Sequence, residues 1–191
     1  YYDNENVTLK LGCRATAVSA NKKTVTLDDQ SDLAFSKLII CTGSRPRQLP
    51  LPGAELKNIF DVRTIADIDA MKPAFTPGKK LIIIGGGYIG LETAAVACKM
   101  GLETTVVEAA DRVLARVTDP VMSAFYQRIH AEEGVTTLTS TGVAGLHGTE
   151  GTVSGVELSD GRILEADCVV VGIGIVPNTE PVSYTHLTLP T

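Results

Sequence analysis

The sequence predicts an α/β fold organised on a parallel sheet, and three observations carry that expectation. The run Lys79-Lys80-Leu81-Ile82-Ile83-Ile84-Gly85-Gly86-Gly87-Tyr88-Ile89-Gly90-Leu91-Glu92 passes from an apolar strand through glycines at G-x-G-x-x-G spacing into a helix. Helical and strand patterns then alternate: a helix over 91–100 closed by Gly101, a strand over 104–107 ending in Glu108, a helix opening at Asp119-Pro120, and a strand over 135–138. A last buried strand over 168–171 arrives after a three-stranded excursion, completing β-α-β-α-β plus a closing strand.

The remaining elements follow in order. Residues 7–11, 15–18, 24–27 and 38–41 read as short strands of a β-meander, with polar turns at Asn21-Lys22-Lys23 and over 28–32. Pro46, Pro50 and Pro52 lie in a stretch of little periodicity, which predicts a crossing between domains. Thr64-x-x-Asp67 has the form of a helix N-cap; Pro73 and Pro77-Gly78 end that helix near Lys72. The helix after Asp119 carries Val121, Ala124, Phe125, Ile129 and His130 and stops before Gly134. Strands over 143–146 and 153–158 form the excursion, and Asp160-Gly161 supplies a hairpin turn. The expected domains are 1–44, a crossing with a short helix over 45–77, and a nucleotide-binding domain over 78–180.

Glycines at this spacing between strand and helix point to a dinucleotide. Gly85 lets the chain turn sharply, Gly87 lets backbone N–H groups approach a pyrophosphate, and Gly90 lets the helix pack closely on the sheet. Glu108 stands about twenty residues on, where an acidic residue accepts hydrogen bonds from ribose hydroxyls and repels a 2′-phosphate. Ala109-Ala110-Asp111 offers no cation to offset that repulsion. Arg112 is the one basic candidate nearby, with bracing of the next loop as its alternative role. NADH is therefore expected over NADPH.

Composition excludes other classes. The 191 residues carry a net charge of −5 with no basic cluster, which argues against a nucleic-acid partner. No stretch approaches the roughly twenty apolar residues of a membrane span. Cys13, Cys41, Cys98 and Cys168 stand far apart without a CxxC, so buried free thiols in a reducing cytoplasm are expected, with no metal site. His130 reads as packing or surface and His147 as turn-associated. Tyr1 opens in what reads as the middle of a domain, so a truncated N-terminus is expected. Residues 181–191 read as a non-native tail, since 182–191 match the translation of a transposase sequencing adapter.

Three motifs resemble one family. Leu38-Ile39-Ile40-Cys41-Thr42-Gly43-Ser44-Arg45-Pro46-Arg47 is similar to the ATG motif of two-dinucleotide-binding flavoproteins, with Cys41 in place of Ala. The Gly85 to Glu92 segment resembles their NAD(P)H motif. Gly161-Arg162, Ala166-Asp167 and Gly172-Ile173-Gly174 to Pro177-Asn178 resemble the segment returning toward the flavin. Ala115 to Tyr126, His130 and Gly134-Val135 are most similar to FAD-dependent NAD(P)H ferredoxin reductases of the putidaredoxin and rhodocoxin reductase type, within the pyridine nucleotide-disulfide oxidoreductase superfamily. The resemblance implies a Rossmann-like two-dinucleotide-binding flavoprotein fold, with a nearly complete NAD domain bearing a three-stranded β-meander and a partial FAD domain.

It also implies roles. Thr42, Gly43 and Arg63 would contact FAD. Tyr88 and Ile89 would lie on the nicotinamide side of the flavin, and Glu92, on the first turn of its helix, would reach the nicotinamide carboxamide. Gly172 and Gly174 would line the NADH channel. The implied activity is hydride transfer from NADH to FAD, then single electrons to a small ferredoxin-like iron–sulfur protein. The amino-terminal FAD glycine motif, the later Gly-Asp segment and the interface domain are not in this sequence, so the chain alone is expected to be inactive. NADH oxidase and disulfide reductase remain alternatives within the same superfamily, and an NADH-responsive flavoprotein with a structural or signalling role, similar to apoptosis-inducing factor, is an alternative of a different class.

Overall fold

The computed structural model describes residues 2–180, so the tail expected over 181–191 lies outside the described residues. The chain divides into two compact units, one of residues up to Ser44 together with those from Pro177 on, the other Arg45–Val176.

The smaller unit holds an antiparallel meander of β1 (Ala15–Ser19), β2 (Thr24–Leu27) and β3 (Asp32–Ala34). Asp32 was expected in a turn. It pairs with Thr26 instead, and the Thr26 hydroxyl donates to Asp32 Oδ1 at 2.7 Å across the exposed edge. Residues 7–11 and 38–41, expected as strands, form none. A strand exists through its ladder, and no segment among the described residues pairs with either; Leu11 and Ile39 stand 82% and 86% exposed. The expected burial of the thiols fails with them. Cys13 and Cys41 are exposed, Cys98 is half-buried, and Cys168 alone is buried; all four are free. The short strand β4 (Ser44–Pro46) follows.

The larger unit is built on a five-stranded sheet, parallel throughout, in the order β5-β12-β6-β7-β8. Its members are β5 (Ile59–Asp61), β6 (Lys80–Ile84), β7 (Glu103–Val107), β8 (Thr136–Leu138) and β12 (Cys168–Val171). β5 lies within the segment expected as a crossing. It is three residues long and has no alternation of its own; its ladder comes entirely from β12. The helices are α1 (Ile65–Met71), α2 (Tyr88–Lys99) and α3 (Pro120–Glu132). Thr64 and Asp67 form a reciprocal capping box on α1, and the Asp119 carboxylate accepts from Met122 N–H at the start of α3, with Pro120 in the first turn.

The apolar run of β6 is continuous because both faces of the sheet are covered. Leu81 and Ile83 point into a core with Ala94, Ala97, Val106, Val170 and Phe75 on the helical side. Ile82 and Ile84 point into a second core with Val107, Val156, Leu158 and Val171. That second layer is an antiparallel sheet of β9 (Val143–Thr149), β10 (Thr152–Leu158) and β11 (Ile163–Glu165). Glu150 and Gly151, both at positive φ, make the two-residue turn between β9 and β10. β9 therefore runs three residues past its expected end, and His147 belongs to the strand instead of a turn; its Nε2 lies 2.9 Å from Glu157 Oε2 on β10. His130 is buried between α3 and α2, its Nδ1 2.9 Å from Tyr126 O and its Nε2 3.1 Å from Leu91 O. β13 (Ile175–Pro177) follows β12.

Candidate dinucleotide site

β6 ends at Gly85, which turns the chain with φ of +110°, a conformation closed to most side chains. Its N–H still donates to Val107 O at 2.8 Å, and Gly172 N–H donates to Ile84 O at 2.8 Å. The ends of β6 and β12 lie so close that a Cβ on Gly85 would stand 2.5 Å from Gly172 O. A Cβ on Gly90 would run into the Gly85 carbonyl oxygen and stand 3.3 Å from Ile83 Cγ2. Gly87 is different: nothing lies within 4 Å of where its Cβ would be. As N-cap of α2 it offers no side-chain acceptor, so the first N–H groups of the helix remain available to an anionic ligand. Close packing at Gly85 and Gly90 with open space at Gly87 is the arrangement a bound pyrophosphate requires.

Glu108 follows β7, with its backbone fixed at 2.8 Å from its N–H to Leu138 O. The carboxylate reaches back over the turn: Oε2 accepts from Gly86 N–H at 2.6 Å and Oε1 from Ala110 N–H at 2.8 Å. Gly86 was passed over in the sequence. A Cβ there would stand 3.0 Å from Val113 Cγ1 and 3.2 Å from Glu108 Oε2, and Leu114 N–H donates to Gly86 O at 2.9 Å. Three successive glycines, where the fingerprint asks only for the first and third, were the signal. Arg112 donates to Ser123 Oγ at 2.7 Å and to Thr118 O and Ala115 O, each at 3.0 Å. That basic side chain braces the loop leading to α3.

Tyr88, Ile89 and Glu92 share one face of α2, being three and four residues apart. Tyr88 is 53% and Ile89 39% exposed, and Glu92 is exposed. Tyr88 is thus no core aromatic. Glu92 was expected on the first turn, but α2 begins at Tyr88, so Glu92 opens the second turn, where the helix dipole acts weakly. Gly174, at φ +109° with open space around its Cβ position, accepts from Arg47 N–H at 2.9 Å. Arg63 is exposed, and its N–H donates to Asp67 Oδ2 at 3.0 Å.

Thr42 and Gly43 belong to the smaller unit and are exposed. There the Thr42 hydroxyl donates to Asn178 O at 2.5 Å, Asn178 Nδ2 donates to Thr42 O at 2.9 Å, and Asn178 N–H donates to Gly43 O at 2.9 Å. The ATG-like motif and the Pro177-Asn178 segment are therefore joined by three hydrogen bonds.

The N-terminal ends of the central strands carry charge of a different kind. Asp167 Oδ2 accepts from Lys80 N–H at 2.8 Å and Oδ1 from Lys79 Nζ at 2.9 Å, which together hold its carboxyl below the usual aspartate range. Lys80 Nζ pairs with Glu165, and a cavity beside that pair is lined by Lys80, Glu103, Thr105 and Glu165. Asp167 thus pins the start of β12 to β6, and the Lys80–Glu165 pair joins β6 to β11, at the end of the sheet away from the glycine turn. Burial pushes the Cys168 thiol up to about 11, making it an inert core residue. Among the described residues no helix is long and apolar enough to cross a membrane.

A parallel sheet, a glycine turn at the C-terminal end of its central strand and an acidic residue ending the next strand define a Rossmann-type α/β protein. The chain belongs to the pyridine nucleotide-disulphide oxidoreductase family, whose model matches residues 2–191. It is 40% identical over 187 residues to rhodocoxin reductase of Rhodococcus erythropolis, covering 98% of this chain and 44% of that protein. It is 38% identical over 191 residues to putidaredoxin reductase of Pseudomonas putida, covering 97% and 45%. In a covalent putidaredoxin reductase–putidaredoxin complex, the matching chain superimposes with a TM-score of 0.91 at 38% identity, covering 99% of this chain and 46% of that one. The chain thus spans a little under half the length of these relatives.

Proposed function

We propose that the intact protein is an NADH-dependent ferredoxin reductase, passing a hydride from NADH to FAD and then single electrons to a small ferredoxin-type iron–sulfur protein. The relatives' names support this, among them the ferredoxin–NAD(+) reductase subunit of a Pseudomonas putida benzene dioxygenase system. This chain contributes most of an NAD-binding unit and part of an FAD-binding unit. FAD, when bound, supplies the conversion from a two-electron donor to a one-electron acceptor. Gly87 and the N-terminus of α2 receive the dinucleotide pyrophosphate. Glu108 keeps lone pairs beyond its two backbone contacts for the ribose hydroxyls, and Glu92 orients the carboxamide, beside Tyr88 and Ile89. Gly172 and Gly174 leave the passage for the nicotinamide free of side chains, while Thr42, Gly43 and Arg63 serve FAD. The four free thiols fit a reducing cytoplasm.

The observation that carries the preference for NADH is the Glu108 carboxylate at the turn, with Arg112 committed to its own loop. Calorimetric titration of this chain should show NADH binding at least about tenfold tighter than NADPH, as expected for a carboxylate facing a 2′-phosphate. Equal affinity for the two would refute the assignment.

A further inference from the structure

We propose that Glu108 is a positioning residue for the glycine turn as well as a ribose acceptor: its carboxylate, bridging Gly86 N–H and Ala110 N–H, sets the turn in its binding shape before any dinucleotide arrives. The inference rests on the reading of this turn as an NADH site and goes beyond it.

The geometry is a clamp with three parts. The two carboxylate oxygens accept one N–H each, at 2.6 Å from Gly86 in the turn after β6 and at 2.8 Å from Ala110 in the segment after β7. The Gly86 carbonyl is held from behind by Leu114 N–H at 2.9 Å. Val113 and Glu108 close the space a side chain at 86 would need. Gly86 is thus fixed through both its N–H and its C=O, and the open Gly87 beside it inherits that geometry. A carboxylate can accept at both oxygens. A glutamine accepts at one and presents an NH₂ donor at the other, so it must leave one of these two N–H groups opposed. Glu108→Gln therefore tests the clamp with almost no change in volume.

The discriminating ligand is a form of NADH lacking both hydroxyls of its adenosine ribose. If Glu108 acts only on those hydroxyls, Glu108→Gln leaves the affinity for this analogue unchanged. If it also sets the turn, the variant loses affinity for the analogue by about tenfold, the scale of a hydrogen bond to a charged group. Titrations of the wild-type 191-residue chain and of Glu108→Gln with both ligands are accompanied by amide exchange at Gly86 and Ala110 without ligand. The expected result is weaker binding of the analogue and faster exchange at whichever of the two amides the glutamine NH₂ opposes. Gly86→Ala, which displaces the same carboxylate from the other side, should reproduce the loss should Glu108→Gln not fold. Weaker NADH binding with unaltered analogue binding would overturn the proposal and leave Glu108 a ribose acceptor only. A wild-type chain that binds neither ligand would remove the site reading itself, and the proposal with it.

Discussion

Gly90→Ala opposes two effects of known size. Alanine is the better helix former by about 1 kcal/mol, and position 90 lies inside α2 at an ordinary helical conformation, so propensity alone predicts stabilisation. Against this, the new methyl would collide with the Gly85 carbonyl oxygen and press on Ile83 Cγ2 at 3.3 Å. Neither neighbour is the far end of a flexible chain. The Gly85 backbone is fixed by its bond to Val107 O, and Ile83 is fully buried. Overpacking of this kind costs about 3 kcal/mol, the upper part of its usual range. The net expectation is a loss of about 2 kcal/mol, or a fall in melting temperature of about 4–8 °C for a chain of this size. Urea titration followed by far-ultraviolet circular dichroism measures it. A variant as stable as the parent, or more so, would show that α2 does not rest on the turn, and the argument for Gly90 would fail.

Other perturbations separate structure from chemistry. Asp167 is held below the ordinary aspartate range by Lys80 N–H and then Lys79, so its contribution is complete above about pH 3.9 and is lost as pH falls through its lower folded value; Asp167→Asn should flatten the acid limb of urea midpoints measured from pH 2 to 6, and parallel curves would refute this. His130→Ala removes a buried side chain lying against the Leu91 and Tyr126 carbonyls and should cost about 2–3 kcal/mol by chemical denaturation; an unchanged midpoint would mean that α3 packs on α2 without it. On the proposed function, Glu92→Ala in the intact protein should slow stopped-flow reduction of the flavin by NADH and leave FAD content unaltered, because Glu92 is an exposed residue that supports no core. Loss of flavin with normal reduction of the remaining holoenzyme would reverse that assignment.

What the sequence made legible was the part of the fold whose cause is local. The β6 run, the Asp119-Pro120 start of α3 and the Asp160-Gly161 turn are each specified within a few residues. β5 was not, because Ile59-Phe60-Asp61 becomes a strand only when β12 lies beside it. Residues 38–41 erred in the opposite direction: an apolar run states what a strand would bury but cannot supply its neighbour. At the site, glycine spacing located the turn and placed Glu108 at the end of β7. The engagement of both its oxygens by Gly86 and Ala110 was invisible, since backbone N–H groups have no sequence signature. Glu92 was displaced by one helical turn because the glycine N-cap starts α2 three residues earlier than the apolar pattern suggests.

The order of strands in the central sheet has a consequence for the chain during its synthesis. β12 lies between β5 and β6, yet it is the last of the five strands to leave the ribosome. Until then β5 and β6 have no common neighbour, and the β6 edge that β12 will occupy, flanked by Leu81, Ile82, Ile83 and Ile84, stands open. Such an edge is an adhesive surface on a nascent chain, and contacts of long sequence separation close slowly. Between translation of residue 84 and residue 171 the nascent chain thus carries an unpaired apolar edge of the kind that favours self-association.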